Sequence, residues 1–155
     1  MSRFAPQIRW TGNRGEGTAR YHGYDRSWEV ATPGKPVIAC SNDPMLGGDP
    51  GLHNPEDMLL AALSACHMLW YLHLAAEAGV VVLRYEDAPE AEFESDASGA
   101  GRFTAVTLRP RIGVAPGSDL ALADTLHARI GAVCFIARSV AFPVHHAARY
   151  VVVDG

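Results

Sequence analysis

The run HNPEDMLLAALSACHMLWYLHLAAEAG, from His53 to Gly79, constrains this chain more than any other stretch. Asn54 is placed to cap a helix, Pro55 fits the first helical position, and Glu56 and Asp57 fall in the positive first turn. Gly79 supplies the left-handed residue on which helices end. Between Met58 and Ala76 there is no Asp, Glu, Lys or Arg, and only Ser64, His67 and His73 interrupt the apolar residues. A helix apolar all round is expected to be buried on every side. Cys66 lies in its middle. The central expectation is therefore a reactive sulfur inside a buried helix.

A chain of 155 residues with 48% apolar and 19% charged residues has the make-up of a single ordinary globular domain, spanning residues 1–155. The net charge of −4 and the lack of a basic run argue against nucleic acid as a partner. The opening MSRFAPQIRW has no apolar signal core, which points to a cytoplasmic protein. Cys40, Cys66 and Cys134 are too scattered for a disulfide framework, and in a reducing compartment such cysteines are more often catalytic or metal-binding. The uncharged span is long enough for a bilayer. Its Ser and two His, and the missing Lys/Arg flank, favour a core or subunit-interface helix and no membrane.

Phe4 to Thr11 reads as a strand, with Thr18 to Tyr24 as its partner across the turn TGNRGEG, whose tip carries Arg14. Trp28 to Val30 and Val37 to Ser41 read as short strands. The long Gly/Pro-rich loop NDPMLGGDPGLH then leads into the helix, and a loop of that length often lies over a site. After Gly79, Val80 to Tyr85 is β-branched. Ala91 to Ser98 and Arg102 to Val114 form a hairpin with Val106, Leu108 and Ile112 inward and its charges outward. Ser118 or Asp119 caps a second helix bearing Leu122, Leu126, Ile130, Val133 and Ala137; His127, Ile130 and Cys134 share a face of it. Arg149 to Asp154 closes the chain as a strand. The order implies an α+β fold of antiparallel sheets with a long central buried helix and a second helix. A homodimer would bury the long helix against its twin.

Buried cysteines on helices are often only packing. The company of Cys66 (Glu56, His67 and a second cysteine on the other helix) favours a reactive role. Ten residues of straight helix rise about 15 Å, too far for Glu56 to share a site with Cys66. A break near Leu63–Ser64 is therefore predicted, with Ser64 capping a second segment and Cys66 in its first turn, where thiolate is favoured.

The run NPEDMLLAALSACHMLWYLHLA, with Cys66 ten residues after Glu56 and a later Cys134, resembles the OsmC/Ohr family of osmotically inducible and organic-hydroperoxide-resistance proteins. WTGNRGEG and YDRSWEV extend the likeness over the chain. The resemblance implies an intertwined homodimer with two composite sites and a thiol peroxidase that needs no cofactor. Cys66 would attack an organic hydroperoxide and become a sulfenic acid, and Cys134 would condense with it to a disulfide. A dithiol reductant, a lipoylated protein among the candidates, would reset the pair. Glu56 would hold an arginine that steers the peroxide. TGNRGEG looks like the turn that carries this arginine in Ohr proteins, which nominates Arg14, with Arg26 of YDRSWEV in reserve. Cys134 is followed by Phe135, where the family usually has Pro.

Two other readings stay open. One is a binding module whose apolar pocket at the dimer seam, lined by Met45, Leu46, Met68 and Trp70, holds a hydrophobic small molecule without turnover. The other is a metal site drawn from Cys66, Cys134, His67 and the pair His145–His146, for which no ligand spacing speaks. His67 would add positive charge to the site or pack beneath the loop, and Cys40 reads as structural.

Overall fold

A computed structural model describes residues 2–154. The chain separates into two compact units, one ending at Leu59 and the other starting at Leu60. In the first unit β1 (Ile8–Trp10), β2 (Trp28–Val30) and β3 (Ile38–Cys40) form an antiparallel sheet in that order. Trp10 stands opposite Trp28, and Trp28 opposite Cys40.

Thr18 to Tyr24 is not the partner of β1; β2 is, and residues 12–25 form a looped excursion between them. The neck of the excursion is drawn tight. Asp25 N–H donates to Gly12 O at 2.8 Å, and a Cβ on Gly12 would fall 1.9 Å from Asp25 O, so only glycine fits there. Carbonyls that a strand partner would have taken are claimed by guanidinium groups instead: His22 O by Arg14 at 2.6 Å, Tyr21 O and Tyr24 O by Arg26 at 2.8 Å each. Asn13 Oδ1 accepts from Gly15 N–H and Gly17 N–H, closing the turn from within.

The long loop after β3 holds one 3-10 turn, Pro44–Leu46, capped by Asp43, and its ends meet where Ser41 N–H donates to His53 O at 2.8 Å. Helix α1 (Pro55–Glu77) follows. Asn54 Oδ1 accepts from Asp57 N–H at 2.8 Å, and Asn54 N–H lies 3.4 Å from Asp57 Oδ2, the reciprocal arrangement of a capping box. At the other end Gly79 takes φ 75°, its N–H meets Ala76 O, and Val80 N–H reaches back to Ala75 O at 2.9 Å. That is a Schellman stop, with Ala75 and Val80 both in the core.

The predicted break at Leu63–Ser64 does not exist: α1 is helical throughout its 23 residues. No Gly or Pro interrupts its interior, and its Ala, Leu and Met are strong helix formers. Ser64 is not a cap; its hydroxyl donates to Asp87 Oδ2 at 2.5 Å. Burial on every side also fails within one chain. Leu63, His67, Tyr71, Leu74 and Ala75 are buried, whereas Ala61, Ala65, Leu69, His73 and Ala76 face outward. By length and composition α1 could cross a membrane, but its buried stripe packs as a core helix does.

The second unit carries two sheets. One orders β4 (Val82–Glu86), β7 (Arg111–Val114) and β9 (Arg149–Val152); the other orders β5 (Glu90–Ser95), β6 (Gly101–Leu108) and β8 (Val144–His146). The hairpin β5–β6 is antiparallel as expected, and its charges pair on the wet face: Glu90 with Arg109 and Glu94 with Arg102. The stretch 102–114, expected as one strand, divides at Arg109–Pro110, because Pro110 lacks an N–H and β7 leaves for the other sheet. The sheets are not purely antiparallel: β6–β8 and β7–β9 run parallel. The strand β8 was absent from the sequence reading.

The second helix is likewise divided. Helix α2 (Leu120–Thr125), with Asp119 Oδ1 accepting from Leu122 N–H at 3.0 Å, gives way at Leu126 to α3 (His127–Ile130), and a turn carries the chain to Cys134. Two cores result. Tyr71, Leu74, Ala75, Val80, Ile112, Val114, Ala123, Leu126, Ile130 and Cys134 form the larger, and Leu63, Val106 and Leu108 the smaller.

Candidate functional site

Cys66 lies mid-way along α1, and Cys134 follows α3, where Cys134 N–H still bonds Ile130 O at 2.8 Å. Both thiols are free, and their sulfurs are 2.7 Å apart, with the Cys134 S–H donating to Cys66 Sγ. Cys134 is 1% exposed and Cys66 half-buried, so solvent reaches the earlier sulfur first. Burial, and then the hydrogen bond to Cys66, pushes the Cys134 thiol up, while Ala137 N–H approaches its sulfur at 3.4 Å and pulls the other way. Cys134 is thus a protonated donor beside a more accessible partner. Two free thiols at this distance need only a small closure to reach the ~2.05 Å of a disulfide.

His67, next to Cys66, is 7% exposed and its Nε2 lies 2.8 Å from Nδ1 of His127. His127 Nε2 is 2.9 Å from Tyr150 Oη, which is 3.3 Å from Tyr71 Oη; Tyr71 in turn reaches Ala123 O at 3.2 Å. The Tyr71 and His146 rings lie against His127 with centroids 4.4 and 5.0 Å away. Burial, then the neighbouring His146, lowers His67 to about 4; burial, then His67 and His146, lowers His127 to about 3. Both imidazoles are neutral at pH 7. His67 therefore brings no positive charge to the sulfur. Burial also raises Tyr71 and Tyr150 above the ordinary phenol value.

The remaining sequence candidates sit in other surroundings. Glu56 is exposed in the first turn of α1 and has no ion pair among the described residues. Arg14 pairs with Asp25 at 3.5 Å and lines an open hollow of about 570 Å³ with Glu16, Arg20, Tyr21, His22 and Gly23. The Arg26 guanidinium is held between the Tyr21 and Tyr24 rings, 4.5 and 4.2 Å from their centroids. Met45 (94% exposed) and Leu46 belong to the 3-10 turn of the long loop; Met68 and Trp70 are half-buried on α1. Cys40 is wholly buried, which pushes its thiol up, and its sulfur faces Ile38 O at 3.8 Å, in keeping with a structural role. Among the described residues no group of three or more His, Cys, Asp or Glu is set to hold a metal ion. His145 and His146 lie on β8, beside Thr107 and Leu108 of β6.

The residues missed from sequence were Tyr71, His127 as a partner of His67, Tyr150 and Asp87. The signal for the first was present: His67 and Tyr71 are four apart on one helix face. Tyr150 and Asp87 carried none, since only the folding of the sheets brings them near.

A sequence model of the family described as OsmC-like protein matches residues 48–148. The chain belongs to the OsmC-like family. Among curated proteins none matches it. Of solved structures, an OsmC-like protein of unknown function from Vibrio cholerae superposes on this OsmC-like chain with a TM-score of 0.84 at 26% identity, covering 96% of this chain and 100% of that one. The OsmC organic hydroperoxide resistance protein of Legionella pneumophila gives 0.65 at 19% identity, covering 97% and 98%. That of Elizabethkingia anophelis gives 0.65 at 17% identity, covering 96% of each chain. At those identities the last two speak for the OsmC-like fold alone.

Proposed function

We propose that this OsmC-like protein is a thiol peroxidase that reduces organic hydroperoxides, with Cys66 as the attacking sulfur and Cys134 as the resolving one. The observation that carries the reading is the contact of the two free thiols at 2.7 Å. The Cys66 thiolate attacks the distal, hydroxyl oxygen of ROOH; the O–O bond breaks, Cys66 becomes a sulfenic acid, and the leaving alkoxide takes a proton from water and departs as ROH. The Cys134 sulfur then attacks that of Cys66; the S–O bond breaks and the Cys134 proton leaves with the hydroxyl as water. A dithiol such as a lipoyl group returns both sulfurs to thiols and is itself oxidised to a disulfide. The substrate class is carried over, as part of this proposal, from the names of the Legionella and Elizabethkingia neighbours, whose likeness to this chain is one of fold.

Glu56 and an arginine, Arg14 or Arg26, are proposed to complete the site across a homodimer, because α1 is too straight for Glu56 to reach its own Cys66. The test adds one equivalent of cumene hydroperoxide to reduced protein and follows peroxide loss together with peptide masses. A linked Cys66–Cys134 pair and loss of one equivalent of peroxide are expected. Unchanged peroxide with Cys66 still a thiol sinks the reading.

One observation favours the second reading, a non-catalytic module that holds a hydrophobic small molecule in an apolar pocket at the seam of a homodimer, lined by Met45, Leu46, Met68 and Trp70. Within the chain Arg14 is engaged by Asp25 and His22 O, and Arg26 by two tyrosine carbonyls, leaving neither paired with Glu56. In that case an apolar probe binds with equal affinity to wild type and Cys66→Ser.

A further inference from the structure

We propose that His67 and His127 are positioning residues for the thiol pair, locked as neutral single tautomers by a one-way hydrogen-bond chain that fixes α1 against α2 and α3. The proposal rests on the reading of Cys66 and Cys134 as a reacting pair, not on the identity of their oxidant.

The direction of the chain follows from its last member. Ala123 O is a carbonyl and only accepts, so the single proton of Tyr71 points to it. Tyr71 Oη then accepts from Tyr150 O–H. With that proton committed, Tyr150 Oη accepts from His127 Nε2–H. A neutral His127 protonated at Nε2 is bare at Nδ1, where it accepts from His67 Nε2–H. His67 is left bare at Nδ1. Only this arrangement makes all four contacts hydrogen bonds with every group uncharged, and each hydroxyl and imidazole has one proton and spends it once.

The geometry ties the chain to the sulfurs. Cys66, His67 and Tyr71 belong to α1; Ala123 is in α2, His127 in α3, and Cys134 one turn beyond. The histidine contact and the sulfur contact are therefore two rungs between the same elements, at 2.8 and 2.7 Å. Apolar packing sets such a spacing loosely, whereas hydrogen bonds in a dry interior fix both distance and angle. The bare buried nitrogens tolerate no added proton without leaving a charge between His67, His127 and His146.

The first measurement is the 15N NMR tautomer state of the reduced full-length protein at pH 7. Both His67 and His127 are expected as Nε2–H tautomers, and an Nδ1–H form at either overturns the proposal. The second is the equilibrium of the Cys66–Cys134 disulfide with glutathione, in which two protein thiols and one oxidised glutathione give the protein disulfide and two reduced glutathiones. The effective concentration of the pair is expected to fall at least tenfold in His127→Phe and severalfold in Tyr150→Phe, with His127→Gln recovering part of the loss. Tyr150→Phe, which removes one hydroxyl, is also expected to mix the two tautomers of His127, and it decides the matter should His127→Phe not fold. An effective concentration within twofold of wild type in the folded variants overturns the proposal. A glutathione equilibrium that depends on the histidines while cumene hydroperoxide is not consumed retains the positioning role and discards the peroxidase.

Discussion

Cys66 and Cys134 are not interchangeable, because one is half open to solvent and the other is sealed and held protonated. Cys66→Ser is expected to abolish hydroperoxide consumption. Cys134→Ser should consume one equivalent and stop, with a sulfenic acid on Cys66 that dimedone traps; continued turnover would show that Cys134 is dispensable. The histidines give a separate acid signature. Their folded values of about 4 and about 3 lie below the ordinary 6.5, so at low pH the unfolded chain binds more protons than the folded one. Their contribution is complete above pH 6.5 and drains away as the pH falls toward 4 and then 3. Urea midpoints of wild type should drop steeply across that window, and those of a His67→Phe/His127→Phe double variant should flatten. Cys66 was legible as a residue of an apolar helix, and Cys134 as an inward-facing one, although Cys134 lies at the end of a turn after α3 and not on the expected helix. The histidine–tyrosine chain was not, since its members lie far apart in the sequence and look like ordinary core residues singly.

At the scale of elements, local chemistry read well and long-range competition did not. The start and stop of α1 were written in Asn54, Pro55 and Gly79, because caps depend on residues within one turn. The break at Ser64 failed for the opposite reason: its hydroxyl has a better partner 23 residues away, in Asp87, which also accepts from Arg109 N–H at 2.7 Å. Asp87 thus ties α1 to the end of β6. Asp87→Ala is expected to cost about 2 kcal/mol, as for hydrogen bonds to a charged group. Asp119→Ala, which removes the cap of α2, is expected to cost about 1 kcal/mol. Thermal melts check both, each 1 kcal/mol lowering Tm by about 2–4 °C. Residues 12–25, with Tyr21 and Tyr24 among them, read as a turn and a returning strand because the glycines and Asn13 of TGNRGEG suit turn geometry. The two tyrosine rings instead clamp Arg26, a contact that periodicity does not encode.

For the molecule as a whole, the α+β class followed from the order of elements, but the parallel pairs β6–β8 and β7–β9 did not, because the chain segments that feed them look like loop. The apolar outward stripe of α1, with Leu69 62% exposed, is the surface on which the proposed homodimer depends. Leu69→Glu is expected to shift sedimentation from two chains to one, while Leu69→Met leaves it unchanged. The unbroken α1 carries a consequence for inheritance of function between copies. Its length separates Glu56 from the sulfur of the same polypeptide by about 15 Å, so under the proposed homodimer the acid serving a given sulfur comes from the partner chain. Glu56→Ala and Cys66→Ser preparations, each inert alone, should revive when mixed and allowed to trade subunits, reaching roughly a quarter of wild-type turnover for a symmetric two-site pair. A mixture that stays inert would mean that each polypeptide furnishes its own acid.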